Sequence, residues 1–359
     1  KSSGSQTVNV YDHNFKFAQS LRFNLGFDFK LLGIDWTAEG IYSKTLNDIL
    51  YKNLAYDMTG KTFGQTYYQG TDMVDDNRPM LEKTTSGTPF SNIYALYNTS
   101  KGYTVNLSLK AEKHFNFGLD LMASYTWTKS KSVNNGGSSV AESNWRYNYT
   151  CQNPNDPELG NSAYNIPHRI QASAYYHVQY GARKQWQTTV GVIYTAKSGS
   201  PYTLYTYGDM NGDGASGNDL LYIPTSDQLN SMQFEETSFN NNALTRRLFG
   251  PGTDAWSANG NAYPKTLTAA MQRQLMETWI DGDSYLSKHR GEFFKRYADN
   301  LAFEQHFDLH FGQKYSFKVL GDVNSIELTV DIINVGNLLN KDWGHTYGDG
   351  FGVYYSPVT

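Results

Sequence analysis

Residues 208–221, GDMNGDGASGNDLL, carry the sharpest chemical motif in the chain. Asp209, Asn211 and Asp213 alternate and Gly214 follows, matching the front half of a D-x-[DN]-x-[DN]-G calcium loop. In such a loop alternate oxygen side chains converge on one hard cation, and the glycine permits the sharp turn. The back half departs from the pattern: Leu220 stands where the bidentate glutamate belongs, with Asn218 and Asp219 just before it. Asp209, Asn211, Asp213 and Asp219 are thus the candidate ligands of a Ca2+ or similar cation. The alternative is a turn of Gly, Asn and Asp with no ion in it.

The other residue types that do chemistry are less organised. His306 and His310 have H-x-x-x-H spacing, which puts two side chains together on a helix. On a strand the same residues share a face about 13 Å apart, too far for one ion. With Glu304 and Asp308 they read as a polar stripe along a strand. Cys151 is the only cysteine, so no disulfide can form within the chain, a four-thiolate metal site is excluded, and the thiol reads as incidental. No H-E-x-x-H, phosphate loop or dinucleotide fingerprint is present, and no local signature joins a Ser to a His and a carboxylate. No catalytic residue is assigned, and the chain is not expected to be an enzyme.

The elements that must position these residues follow from composition and periodicity. A chain of 359 residues holds two ordinary domains or one large β structure. Only 18% of residues are charged and the net charge is -4, which supplies no basic field for nucleic acid; no nucleic-acid partner is expected. Mean hydropathy is -0.58, and no apolar run approaches the roughly 18–20 residues of a spanning helix. A helical membrane protein is excluded, whereas a barrel with a polar lumen and long loops is not. The first ten residues, KSSGSQTVNV, contain no signal peptide and do not start with Met, so part of a longer protein is expected.

Period-two alternation recurs from end to end. In residues 21–29, Leu21, Phe23, Leu25, Phe27 and Phe29 oppose Arg22, Asn24, Gly26 and Asp28. In 117–128, Phe117, Leu119, Leu121, Ala123, Tyr125 and Trp127 oppose a smaller, more polar set that includes Asp120, Ser124 and Thr126. The pattern returns in 34–42, 103–112, 170–179, 186–194, 303–311 and 326–332, giving eight segments, with a ninth near 351–355. Polar stretches at 54–91, 131–167 and 207–291 alternate with tight turns. Short turns at one end and long loops at the other are the plan of an outer-membrane barrel. A soluble β-sandwich accepts the alternation but rarely has strands this long. Within the longest loop, Leu267, Met271, Leu275 and Trp279 recur every four residues after Pro264 and predict one helix.

Three stretches carry a family resemblance: Ile166-Pro167-His168-Arg169 just before a strand, residues 209–224 (DMNGDGASGNDLLYIP), and residues 328–343 (LTVDIINVGNLLNKDW). The chain resembles the C-terminal half of a TonB-dependent outer-membrane transporter, in the Bacteroidota-type branch with a carboxypeptidase-regulatory-like domain (Oar-like receptors). The second stretch is the most specific of the three. The resemblance implies an all-β, antiparallel transmembrane barrel of about 22 strands, of which residues 1–359 supply eight or nine towards the C-terminus. It implies a plug domain, a TonB box and a closing strand outside this sequence. Function would be TonB-energised uptake of a nutrient across a Gram-negative outer membrane. Its partners would be outer-membrane lipid, TonB through the absent N-terminal region, and a surface lipoprotein. Ligand contacts would lie in loops 54–91, 131–167 and 207–291. The rival expectation is a structural or adhesive outer-membrane protein whose barrel displays loops to a partner.

Overall fold

The computed structural model describes residues 6–67, 75–238, 266–346 and 354–355. All eight alternating segments form strands, most of them longer than the alternation alone delimits. They are β2 (Gln19–Leu31), β3 (Ile34–Asn53), β5 (Tyr103–His114), β6 (Leu119–Ser132), β7 (His168–Tyr180), β8 (Trp186–Lys197), β9 (Glu304–Val319) and β10 (Asp322–Ile332). Two strands that the alternation did not mark join them: β1 (Gln6–Tyr11) and β4 (Phe90–Thr99). The segment anticipated at 351–355 lies mostly outside the described residues. Its last two, Tyr354–Tyr355, pair in parallel with Tyr205–Thr206, away from the main sheet.

The strands form one antiparallel sheet in the order β2-β3-β5-β6-β7-β8-β9-β10. β4 and β5 act as one strand, because both pair with β3 in a single register, from Asn53↔Tyr94 to Asp35↔Glu112. The ladder is interrupted only opposite residues 100–102, where Gly102 adopts φ 123° and Lys44 Nζ donates to the Ser100 carbonyl at 2.7 Å. β1 runs parallel along the other edge of β4. Among the described residues β2 and β10 each pair on one side only, so the sheet is open.

Tight turns gather at one end of this sheet: residues 32–33, 115–118, 181–185 and 320–321. Leu32–Gly33 and Leu320–Gly321 each place both residues at positive φ (54° and 68°, 52° and 99°), as a two-residue type I′ hairpin requires. The long connections 54–89, 133–167 and 198–303 all emerge at the opposite end. The anticipated alternation of short turns and long loops is therefore the observed one.

Among the described residues nothing packs against the apolar face of the sheet. Leu25 is 79% exposed, Phe27 65%, Ile326 67% and Leu328 65%, with Leu107, Val190, Val192 and Phe311 also exposed. A sandwich would bury this face against a second layer; here it stays bare. Aromatics border it. Near the tight turns Tyr180, Trp186 and Tyr315 align in register, with the Trp186 and Tyr315 rings 4.4 Å apart. Towards the loops Tyr194 pairs with Phe307 at 4.8 Å. Trp186 to Tyr194 spans about 26 Å along the strand at about 3.3 Å per residue. A tilt of about 40° reduces that to about 20 Å, close to the roughly 25 Å apolar band of an outer-membrane barrel.

The hydrophobic core sits instead in the loops, which pack together as a cap. One cluster gathers Leu204, Leu221, Ile223, Ile280, Leu286 and Phe294; a second gathers Tyr94, Trp145 and Ala215. Short helices serve it: α1 (Ala141–Arg146), α2 (Ser226–Ser231) and α3 (Ala269–Gly282). The predicted loop helix is α3, started by Thr268, whose hydroxyl accepts from Met271 N at 3.3 Å. Its buried face is Met276, Trp279 and Ile280, so Trp279 lies on the stripe as expected while Leu267 precedes the helix.

Candidate functional site

Three long loops, one from each connection, meet at residues 209–221. Arg78 and Leu81 come from the first loop, Thr150 from the second, and the motif itself from the third. Leu81 N donates to Asn211 O at 2.7 Å, Thr150 N to Asn218 O at 3.0 Å, and Leu220 N to Thr150 O at 3.1 Å. Arg78 Nη1 reaches Asp219 Oδ1 at 2.8 Å and Arg78 Nη2 donates to Leu220 O at 2.7 Å. Gly212 approaches the Leu81 carbonyl and Gly214 the Tyr56 hydroxyl so closely that a Cβ at either would overlap it. Both adopt positive φ, 78° and 79°, so glycine is required twice over.

Within the loop the candidate ligands fold the backbone around themselves. Asp209 Oδ1 accepts from Gly212 N and Asp213 N at 2.7 and 3.1 Å, and its Oδ2 from Gly214 N at 2.8 Å. Asn211 Oδ1 accepts from Asp213 N at 2.9 Å, and Asp213 Oδ1 from Ala215 N at 2.7 Å. Asp213 Oδ2 faces the amides of Asn218 and Asn211 at 2.8 and 3.4 Å. Asp219 is held differently, by Met210 N at 2.9 Å and by Arg78. The structure thus brings Asp209, Asn211 and Asp213 into one ring and turns Asp219 to a guanidinium. Asn218, absent from the candidate set, closes the ring. Its position next to Asp219 at the end of the motif was the signal available in the sequence.

Burial makes the charges here consequential. Asp213 and Asp219 are both 0% exposed and Arg78 is 1% exposed. Burial pushes the Asp213 carboxyl up to about 6. It pushes Asp219 up to about 7, because desolvation outweighs Arg78, whose one guanidinium also serves Asp76 at 3.3 Å. Cys151, beside the same junction, is raised to about 12 by burial and by Glu158, to which its thiol donates at 3.4 Å.

A second polar constellation crosses the sheet. His114, Asp120, Tyr175, Gly191, His310 and Asp331 oppose one another in register on β5 to β10. His114 and His177 both bond Asp120, the latter at 3.3 Å, and His310 bonds Asp331 at 2.6 Å. The Tyr175 ring lies over Gly191, where a Cβ would overlap it. His306 and His310 share β9 but take different carboxylates, Asp308 at 3.5 Å and Asp331. Among the described residues no three His, Cys, Asp or Glu side chains form a metal-holding group.

A family model described as an outer membrane beta barrel domain matches residues 1–303. The chain belongs to that family. No curated protein matches it. Membership gives each face of this outer-membrane barrel wall its solvent. The bare face of Leu25, Val192 and Leu328 meets lipid, and the His114–Asp331 row lines the inner side. The aromatic rows lie at the two membrane interfaces, and the 209–221 junction sits among the long loops, outside the membrane.

Proposed function

We propose that this wall and its cap belong to an outer-membrane uptake receptor, energised through TonB and admitting a nutrient through a plugged lumen. The observation that carries the reading is the cap. The third loop carries its own packed core, and all three long loops meet at the Tyr56, Trp145 and Ala215 cluster and at one buried junction, so they form a shaped surface over the inner face of the wall. The likeness of residues 209–224 and 328–343 to Oar-like receptors supports the same reading. The open edges at β2 and β10 favour a larger barrel, because a spanning sheet must close to satisfy its backbone in lipid. No covalent chemistry is assigned to the chain; binding falls to aromatic and polar groups of the cap, and import to plug movement.

The test is genetic and uses the complete gene in its host. Deleting the gene and inactivating TonB should abolish uptake of the same member of a panel of labelled peptides, oligosaccharides and ferric chelates. A surface lipoprotein encoded beside it should be needed for that uptake as well. Loss of adhesion with every uptake intact would overturn transport in favour of loop display.

A further inference from the structure

We infer that residues 209–218 form a calcium site whose oxygen ligands are Asp209, Asn211, Asp213 and Asn218. The inference goes beyond transport and stands whether or not the barrel is a receptor. Two observations carry it besides the spacing of the motif. Asp213 is 0% exposed, yet among the described residues no cationic side chain pairs with it; the guanidinium of Arg78 pairs with Asp219 and Asp76. Buried carboxylates are ordinarily paired or bound to a metal. Second, Asn218 is 0% exposed and among the described residues its Oδ1 has no hydrogen-bond donor, although its amide is aimed at Asp213, with Nδ2 2.8 Å from Oδ2. A cation between the two groups answers both: it neutralises Asp213 and takes the idle amide oxygen once that amide turns over.

The rest of the ring is compatible with this. Each of Asp209 Oδ2, Asn211 Oδ1 and Asp213 Oδ1 accepts a single backbone N–H, which fixes the oxygen and leaves it a lone pair. Asp209 is exposed and the others are buried, so the ring has one open side through which an ion can enter. The donors are all oxygen, with no His or Cys, which selects a hard cation, and a mixed carboxylate and amide set suits calcium better than magnesium. Asp219 leaves the ligand set because Arg78 and Met210 N hold it.

The site is read by terbium luminescence on the full-length protein in detergent after stripping with EGTA. Tyr56, whose hydroxyl abuts Gly214, serves as the sensitising ring. Terbium should give a saturable signal that calcium displaces with a Kd of about 0.1–1 mM, the range of extracellular calcium modules. Asp213→Asn should weaken binding at least about tenfold, and Asp227→Asn on α2 should leave it unchanged. Should Asp213→Asn misfold, the wild type decides alone: calcium should slow protease cleavage of the cap relative to EGTA. Absence of saturable terbium or calcium binding up to about 10 mM, a tenfold excess over the weakest such modules, would overturn the site. So would equal cleavage rates in calcium and EGTA.

Discussion

Wall and cap solve the problem of burial in opposite ways. In the cap, Leu221, Ile223, Leu286 and Phe294 are at most 2% exposed, the arrangement of any water-soluble domain. In the wall, residues of the same kind stand bare at 38% to 79% exposure, as Ile332 and Leu25 mark at the extremes of the band. What differs is the solvent. The wall leaves its apolar face to lipid and needs no second layer, so its stability rests on cross-strand pairing. The cap stands in water and must build a core, most of it from segments of the one long loop 198–303. Substitutions that resemble each other chemically should therefore behave differently in the two regions.

The largest effect is expected at the cap junction. Arg78→Met removes the counter-ion of Asp219 while leaving its carboxyl buried, a change of about 3–5 kcal/mol for breaking a buried pair. Limited proteolysis should then cut all three long loops, while the wall keeps its heat-modifiable band on denaturing gels. Asp219→Leu added to Arg78→Met should recover part of the loss; a cap as resistant as the wild type in the single variant would sink the idea of a shared junction. Next comes the core beneath it, where Leu221→Ala should cost about 2–5 kcal/mol in cap unfolding by denaturant.

The wall is probed by neighbours on opposite faces. Val192→Arg puts a charge into the lipid band, between its midpoint and the Tyr194 row, and should destabilise the barrel by about 1–3 kcal/mol, below the roughly 2–4 kcal/mol of the midplane. Ile193→Arg, one residue on and opposite Asp308, should cost less than half of that in the same folding titration into vesicles. Equal costs would show that the faces have been assigned wrongly.

The smallest effect concerns Cys151, whose thiol is raised to about 12. The folded protein holds that proton more tightly than the unfolded chain, whose thiol titrates near 8.5. The contribution to stability is therefore intact below about pH 8.5 and is lost as pH climbs from there towards 12. Alkylation at pH 8 should be slow in the native protein and fast in denaturant; equal rates would contradict the raised, half-buried thiol.

The wall was legible because a strand half in lipid and half facing a lumen must alternate, and residues such as Leu21 to Phe29 obey that rule strictly. β4 was not, for a physical reason: Tyr94 and Ala95 are adjacent, point to opposite faces, and are 3% and 2% exposed, so both faces are covered and no alternation survives. The larger cap core was also hidden, since Leu204, Ile280 and Phe294 meet only after the long loop 198–303 folds back on itself. Helix α3 could be read from its four-residue spacing, but the face it buries was set by the cluster around Phe294. The motif at 209–219 revealed its chemistry through residue types. The part played by Arg78 could not be read, because nothing in sequence links position 78 to a loop so far away.

The break in the β4–β5 strand at residues 100–102 is bridged by β3. Below it the chain is locked between β3 and β6; above it the same chain is flanked by β1 and reaches up to the cap. Across the gap Thr45 N donates to Gly102 O at 3.3 Å and Lys44 Nζ to Ser100 O at 2.7 Å, so the register carries through. Because β3 runs unbroken past this gap, the wall and the cap share one continuous strand, and the three loops, fastened to one another at Arg78 and Thr150, stand on it as a unit.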